Sequence, residues 1–225
     1  MSKRVFLSPS NQYDNVYAYG NTTEGVQCGK IADACKIALE RSGVDVMLMH
    51  DESMQTKCAE SNKFDADLHV PIHTNAFNGK VMGTRMFCYN TGNGMAACKA
   101  IFARVAPLSP GTSENIQVNP KLYEVRVPKA PTAYLECEFH DTVEGAKWVV
   151  ENAATIGEAI ARGICDYFGV TYKPVEQPKP ARPEQPAEQK LYRVQVGAFA
   201  SRANAEKMVQ RLKEAGFDAF IRQDA

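Results

Sequence analysis

The chain has 225 residues, of which 44% are hydrophobic and 23% are charged, as in soluble globular proteins. Lysine and arginine together number 26, as do aspartate and glutamate, so the zero formal net charge gives no indication of nucleic acid as a partner. No segment approaches the ~20 apolar residues of a membrane span, so we expect no membrane insertion. The seven cysteines, an odd number, predict reduced thiols rather than a disulfide framework.

Short apolar segments alternate with segments of helical periodicity over the first ~170 residues. In chain order the prediction is strand 4–8, helix 24–43, strand 44–49, helix 52–63, strand 66–72, strand 84–89, helix 94–106, strand 132–139 and helix 144–168. This alternation predicts an α/β fold, in which helices flank a mostly parallel, twisted sheet in an α/β/α arrangement. In such sheets, functional sites gather at the carboxyl ends of the strands.

A proline-rich segment separates this first domain, 1–171, from a short tail. Residues 172–190 contain five prolines among charged and amide side chains, which predicts an extended, solvated linker. The tail, 191–225, reads as strand 192–199, helix 201–216 and strand 217–221. One β-α-β unit of this size is small for independent stability.

Two histidines lie four residues apart in the third predicted strand, DLHVPIHTNA. At ~3.3 Å per residue they stand ~13 Å apart, whereas two ligands of one zinc ion lie only ~3–4 Å apart. They therefore cannot share an ion from a regular strand. His69 is expected to be a hydrogen-bonded core residue. His73, at the carboxyl end of the strand, fits a metal ligand and a structural residue equally well.

Acidic residues occur at two further strand or helix ends. Glu136 and Glu138 are two apart near the end of the last predicted strand, with Cys137 opposite. Carboxylates in such an apolar strand are costly unless a metal or a cation lies nearby, and one of them could act as a general base. Glu24 opens the first helix, where it either stabilises the helix dipole or binds a metal. Spacing alone does not decide between these roles.

Taken together, these motifs resemble the zinc-dependent N-acetylmuramoyl-L-alanine amidases of the amidase-3 type. The segments that carry the resemblance, which covers about residues 3–170, are the helix beginning at Glu24, IHTNA at 72–76 and YLECEF at 134–139. The resemblance implies that Glu24 and His73 bind one Zn2+ per chain. It also implies that Asn75 shapes the turn at the substrate site and that Glu136 is catalytic. Glu138 replaces the glycine usual in the family.

The third metal ligand departs from the family pattern. The family places a histidine in a D-P-G-H-G-G turn after the first strand, but this chain has LSPSNQYDN at 7–15 and no histidine nearby. In direct register, Asn11 takes the histidine's place, and an asparagine amide is a poor zinc ligand. Asp14 offers an acceptable carboxylate from the same loop, so we expect Asp14 to be the ligand. Such a site would hold zinc less tightly and could accept another divalent metal.

The tail resembles the sporulation-related repeat, or SPOR domain, through YRVQVGAF and AGFDAFI. SPOR domains contain two β-α-β halves and bind peptidoglycan, whereas this tail has one half. The resemblance makes Gln195 the candidate for a glycan-binding surface.

The two resemblances imply a peptidoglycan hydrolase that cleaves the amide bond between N-acetylmuramic acid and L-alanine of the stem peptide. His140, next to the catalytic motif, could assist or could be a surface residue. Only three apolar residues follow the basic amino terminus, which predicts no signal peptide. The enzyme would then be made in the cytoplasm and reach the wall after lysis or through a holin, as a phage endolysin or a sporulation autolysin. The alternatives are a degenerate amidase that binds peptidoglycan without cutting it, and a metal hydrolase acting on another amide.

Overall fold

The computed structural model describes residues 2–112, 114–175 and 194–223. The chain divides into two units, Met1–Val175 and Glu176–Ala225, which are described separately. The strands of the first unit are β1 Arg4–Pro9, β2 Asp45–Leu48, β3 Leu68–Asn75, β4 Arg85–Cys88, β5 Asn115–Val118 and β6 Tyr134–Phe139. Its helices are α1 Glu24–Arg41, α2 Met54–Phe64, α3 Asn93–Val105, α4 Tyr123–Arg126 and α5 Val143–Phe168, with a 3-10 turn at Ala106–Leu108.

The six strands form one sheet in the order β2-β1-β3-β6-β4-β5. All neighbouring strands are parallel except β4 and β6, so the predicted mostly parallel α/β sheet is confirmed. The chain goes from β1 to β2 on one side and from β3 towards β4 on the other, so its direction across the sheet reverses between β1 and β3. The carboxyl ends of β1, β3 and β6 therefore meet beside a topological switch point, where α/β sheets form their sites.

The sheet has one apolar face, which is covered by α1, α3 and α5. Side chains such as Leu7, Ile72 and Leu135 from the sheet are fully buried there, together with Ile31 and Ile160 from the helices. The seven cysteines are all buried and free, as the sequence predicts. No helix in the described ranges is both long enough and apolar enough to cross a membrane.

The opposite face of the sheet is polar and aromatic. Its residues include Ser8, His69, His73, Arg85, Tyr134 and Glu136, which are the alternate positions of their strands. Helices α2 and α4 cover only part of this face, where their Cys58 and Glu124 approach His69. Strands buried on both faces are usually apolar throughout, so this polar face indicates a functional surface.

Two short elements were not predicted, namely β5 and α4. Each has four residues, NIQV and YEVR, and neither lies in a longer apolar segment such as those that contain the four-residue strands β2 and β4. Both contribute to the polar face, so the omission affects the functional site.

In the second unit the predicted helix is confirmed as α6, Arg202–Glu214. The two predicted strands are wrong for the residues that the structure describes, because 194–200 and 217–223 contain no strand. Strand conformation depends on hydrogen bonds to a neighbouring strand, and these segments expose their apolar side chains, with Val194 87% and Phe220 80% accessible. Residues 172–175 of the predicted linker lack regular structure, and 176–190 lie outside the described residues.

Candidate active site

Three elements bring Glu24, His73 and Glu136 to the carboxyl edge of the sheet. His73 lies near the end of β3, and its backbone register pairs it with Glu136 on β6. Glu24 is the first residue of α1, and its Oε1 lies 2.9 Å from Nδ1 of His73. Both side chains are buried, with Glu24 1% and His73 8% accessible. The structure therefore juxtaposes the carboxylate and the imidazole that the sequence predicts to be metal ligands.

The loop between β1 and α1 contributes Gln12 to the same cluster. The backbone nitrogens of Glu24 and Gly25 donate to the carbonyl oxygens of Asn15 and Gln12, which satisfies the first turn of α1. Gln12 is exposed as a whole, but this docking places its amide beside Glu24 and His73. Its Nε2 lies 3.2 Å from Glu24 Oε1 and 3.4 Å from His73 Nδ1. The Asn15 amide braces the arrangement by donating to Glu24 Oε2 at 2.8 Å and to Gln12 Oε1 at 3.0 Å.

Our expectation for Asp14 has to be corrected. Asp14 is exposed in the turn that follows Gln12, and the structure does not bring its carboxylate together with Glu24 and His73. Asn11, the residue in direct register, is also exposed and donates to the carbonyl of Glu52 at 3.1 Å. The hydrogen bonds that seat the loop on α1 leave Gln12 as the side chain that faces the two ligands.

The second nitrogen of His73 faces Glu124, a residue that no sequence motif indicates. His73 Nε2 lies 3.9 Å from Glu124 Oε2, and the other carboxylate oxygen accepts hydrogen bonds from the Ser8 hydroxyl and from His69 Nε2, at 3.4 Å for the latter. Tyr134 stacks on the His73 ring with centroids 4.7 Å apart. The imidazole is thus held in one orientation by two carboxylates and one aromatic ring.

Each charged group of this cluster stabilises the charged form of its neighbours. Burial alone would lower the pKa of His73, but the Glu124 and Glu24 carboxylates raise it to about 9. Burial would raise the pKa of Glu24 and Glu124. The hydrogen bond from His73 instead lowers the pKa of Glu24, and the hydrogen bond from His69 together with the nearby His73 lowers that of Glu124. In the absence of a metal, a protonated His73 therefore lies between two ionised glutamates.

Glu136 has a different environment. Burial, together with the nearby Glu24 charge, raises the pKa of Glu136 to about 7, although His73 and Arg85 act in the opposite direction. Its Oε2 atom is buried and has no hydrogen-bond partner among the described residues. A carboxylate that is unpaired and has a pKa near neutrality can both take and return a proton.

The spacing of Gln12, Glu24 and His73 fits a single metal ion. Ligands on a tetrahedral zinc ion with bonds of ~2.0–2.1 Å stand about 3.3 Å apart, which matches the 2.9, 3.2 and 3.4 Å separations found here. The carboxylate and the imidazole are strong ligands, whereas the glutamine can offer only an amide oxygen, after rotation of its amide group. The donor set fits a divalent metal bound less tightly than by two histidines and a glutamate.

A second group of ligating atoms lies beneath the first. Cys58 Sγ, His69 Nε2 and Glu124 Oε1 are buried and within 4.8 Å of one another, and they are the only such group of three His, Cys, Asp or Glu residues in the described ranges. Glu124 already accepts two hydrogen bonds there. Burial and the Glu124 charge raise the pKa of Cys58 to about 12, so a metal would have to displace a tightly held thiol proton. His69 is confirmed as a hydrogen-bonded core histidine.

The remaining predicted residues lie outside the cluster. Asn75 closes β3 and its Oδ1 accepts from the backbone of Ala76 at 2.9 Å, as expected for a turn residue. His140 is buried rather than superficial, bonds to Thr74 and stacks on Tyr17. Gln195 is exposed in the second unit.

Glu138 does not pair with Glu136. A register irregularity between His73 and Asn75 redirects β6, so that Glu138 accepts from the backbone of Gly83 and from the Ser109 hydroxyl. It also lies beside the start of α5, where a Cβ on Gly145 would meet its Cγ at 3.1 Å. Glu138 therefore holds the loops that contain Gly83 and Ser109, whereas Glu136 faces the cluster of Glu24 and His73.

Comparison with known proteins finds two family models in the chain. The sequence model of the N-acetylmuramoyl-L-alanine amidase family matches residues 12–166, and that of the SPOR domain matches residues 177–224. A comparison with curated proteins found no match.

Solved structures with the same fold include three amidase or endolysin domains. The catalytic domain of CwlV, an N-acetylmuramoyl-L-alanine amidase from Bacillus (Paenibacillus) polymyxa var. colistinus, aligns with a TM-score of 0.68 and 16% identity over 75% of this chain and 99% of its own. The amidase AmiC2 of Nostoc punctiforme aligns with a TM-score of 0.64 and 20% identity over 74% of this chain and 97% of its own. The catalytic domain of the CD27L endolysin, which targets Clostridia difficile, aligns with a TM-score of 0.62 and 16% identity over 74% of this chain and 98% of its own.

Proposed function

Since this chain belongs to the N-acetylmuramoyl-L-alanine amidase family, we propose that it hydrolyses the amide bond between N-acetylmuramic acid and the L-alanine of the peptidoglycan stem peptide. The observation that carries the proposal is the position of Glu136. It is paired in register with His73, its pKa is raised to about 7, and one of its oxygens lacks a partner among the described residues. This is the arrangement that a general base requires beside a metal site.

We propose that Gln12, Glu24 and His73 hold the metal, which we take to be Zn2+. When bound, such an ion supplies a Lewis acid that polarises the scissile carbonyl and acidifies a water molecule. Glu24 and His73 provide the strong donors, and Asn15 keeps the Glu24 carboxylate oriented through its 2.8 Å hydrogen bond. Tyr134 and Glu124 fix the His73 ring, so that little reorganisation is needed on binding.

Glu136 carries the proton in this mechanism. Its ionised carboxylate takes a proton from the attacking water and holds it at the oxygen that has no other partner. The same oxygen then donates the proton to the nitrogen of L-alanine as the amide bond breaks. A pKa near neutrality suits both halves of this transfer, because it balances the strength of the base against that of the conjugate acid.

The proposal is tested by digestion of purified peptidoglycan. We expect new L-alanine amino termini and no new reducing sugar ends with the zinc-loaded protein. Glu136→Gln should lower the rate by about 100- to 10,000-fold while zinc binding is retained. Glu151→Gln, a matched change at an exposed position of α5, should behave as wild type. If the wild type adheres to the wall but releases no amino termini with zinc or another divalent metal, the chain is a non-cutting binding module instead.

We further propose that the second unit holds the enzyme on the wall and that Gln195 contributes to glycan contact. The match of residues 177–224 to the SPOR domain supports this role. Sedimentation with purified peptidoglycan should be weaker for Gln195→Ala than for Gln210→Ala, which changes the exposed face of α6. Equal sedimentation of both variants would remove Gln195 from the binding surface.

The route to the wall is part of the same proposal. We propose that the protein reaches the wall by lysis or through a holin, a route that the similarity in fold to an endolysin catalytic domain supports. Expression of the intact chain in a bacterial host, with and without a coexpressed holin, tests the idea. Lysis that depends on the holin supports it, whereas secretion of the protein without a holin contradicts it.

A further inference from the structure

A row of polar side chains continues from the proposed catalytic centre across the sheet. The register pairs His73 with Glu136, Glu136 with Arg85, and Arg85 with Asn115, on the adjacent strands β3, β6, β4 and β5. Side chains at paired positions point to the same face of a sheet, and neighbouring strands lie ~4.8 Å apart. Arg85 is therefore one strand from Glu136, and Asn115 is two strands, or ~10 Å, from it.

Three atoms of this row lack hydrogen-bond partners. Glu136 Oε2, Arg85 Nε and Asn115 Oδ1 are buried, and none of them is paired within the described residues. Buried polar atoms in proteins are nearly always paired, and three successive exceptions on adjacent strands are too many to be incidental. The row offers an acceptor at each end and a donor in the middle, in an otherwise ordered sheet.

Arg85 carries a positive charge that lowers the pKa of Glu136 on the neighbouring strand. No ion pair involves it in the part of the chain that the structure describes, although Glu136 lies on the neighbouring strand. Its guanidinium lies 5.0 Å from the centroid of the Phe139 ring, which holds the side chain in place without neutralising it. A guanidinium presents parallel N–H donors that match a carboxylate.

We infer that Arg85 and Asn115 form a subsite for an acidic stem peptide, with Arg85 binding the α-carboxylate of the second stem residue. This inference rests on the proposed amidase function. The peptide rises ~3.3 Å per residue when extended, so a carboxylate one residue beyond the scissile L-alanine can reach a group that lies one strand from Glu136. Asn115 Oδ1 then accepts a hydrogen bond from the next peptide N–H of the stem. The enzyme therefore discriminates between acidic and amidated stems.

Matched ligands provide the test. MurNAc-L-Ala-γ-D-Glu-L-Lys and MurNAc-L-Ala-γ-D-isoGln-L-Lys differ only in carrying an α-carboxylate or a primary amide on the second residue. The zinc-loaded full chain should favour the acid in kcat/KM by about 10- to 100-fold, which is the range for a charge-assisted hydrogen bond. Arg85→Gln should reduce this ratio to about 3-fold or less, and Arg85→Lys should give an intermediate ratio. Arg104→Gln, which removes an exposed arginine paired with Asp166, should keep the wild-type ratio.

Binding measurements separate this inference from the proposed function. Calorimetric titration of both ligands into Glu136→Gln measures affinity without turnover. Preference for the acid that disappears in Glu136→Gln/Arg85→Gln supports the subsite, even if the wild type cleaves neither ligand. Cleavage of both ligands with equal kcat/KM, or a preference that survives Arg85→Gln, overturns the subsite and leaves the amidase function intact. If neither ligand is bound or cleaved, both proposals fail.

Discussion

The side-chain amide of Gln12 lies 3.4 Å from Nδ1 of His73, in the loop where the family resemblance places a histidine. The same amide lies 3.2 Å from Glu24, so a glutamine completes a group that otherwise has two strong metal ligands. An amide binds zinc more weakly than an imidazole, because its oxygen is a poorer donor. The identity of residue 12 should therefore limit metal affinity.

Gln12→His should tighten zinc binding by about 10- to 100-fold, since it exchanges a weak ligand for a strong one at the same place. Competition with a chromogenic chelator measures the Kd. Asp14→His is the matched control, because the structure does not group the Asp14 carboxylate with Glu24 and His73, so this change should leave the Kd unchanged. If Asp14→Ala releases the metal and Gln12→Ala does not, the ligand assignment is reversed and the original expectation for Asp14 is restored.

Glu124 should control His73 through the second ring nitrogen, from which it lies 3.9 Å away. Glu124→Gln keeps the size of the side chain but removes a charge that raises the pKa of His73. We expect a lower His73 pKa in the metal-free protein, observed by NMR titration, and zinc affinity weaker by about 10-fold or more. Glu144→Gln, an exposed change in the first turn of α5, is the control. An unchanged His73 pKa in Glu124→Gln would show that the two groups are not coupled.

Gln12 and Glu124 show which parts of the site the sequence did not reveal. Glu24, His73 and Glu136 stand at element ends within recognisable motifs, and the structure brings them to one edge. Gln12 was not predicted as a ligand. Which side chain of its loop lies beside Glu24 and His73 depends on backbone hydrogen bonds between the loop and α1, and residue spacing does not reveal these bonds. Glu124 was missed because α4 has only four residues and no periodic pattern. A buried glutamate on such a short element becomes visible only when its partners Ser8, His69 and His73 are located.

The metal-free protein should lose stability as the pH rises from about 6.5 to about 9. The folded-state pKa of His73 is about 9, above its ordinary value of 6.5, so the folded state binds the proton more tightly than the unfolded state. This stabilisation is complete below pH 6.5 and is lost as the pH rises through 9. The free energy of unfolding involved is on the order of 3 kcal/mol. Thermal unfolding of the apoprotein across this range measures it, and His73→Gln should flatten the dependence over the same interval. A wild-type profile as flat as that of the variant would contradict the protonated His73.

Glu136 should titrate near pH 7 in the metal-free protein, well above the ordinary value of 4.5, because burial disfavours its ionised form. The carboxyl carbon signal that disappears in Glu136→Gln identifies the residue in a 13C NMR titration. Arg85→Gln should move this pKa further upward, since the Arg85 charge lowers it in the wild type. Arg104→Gln removes an arginine that is paired with Asp166 and should leave the pKa of Glu136 unchanged. A measured Glu136 pKa near 4.5 would contradict the assignment of both proton transfers to this residue, because that assignment depends on a pKa near neutrality.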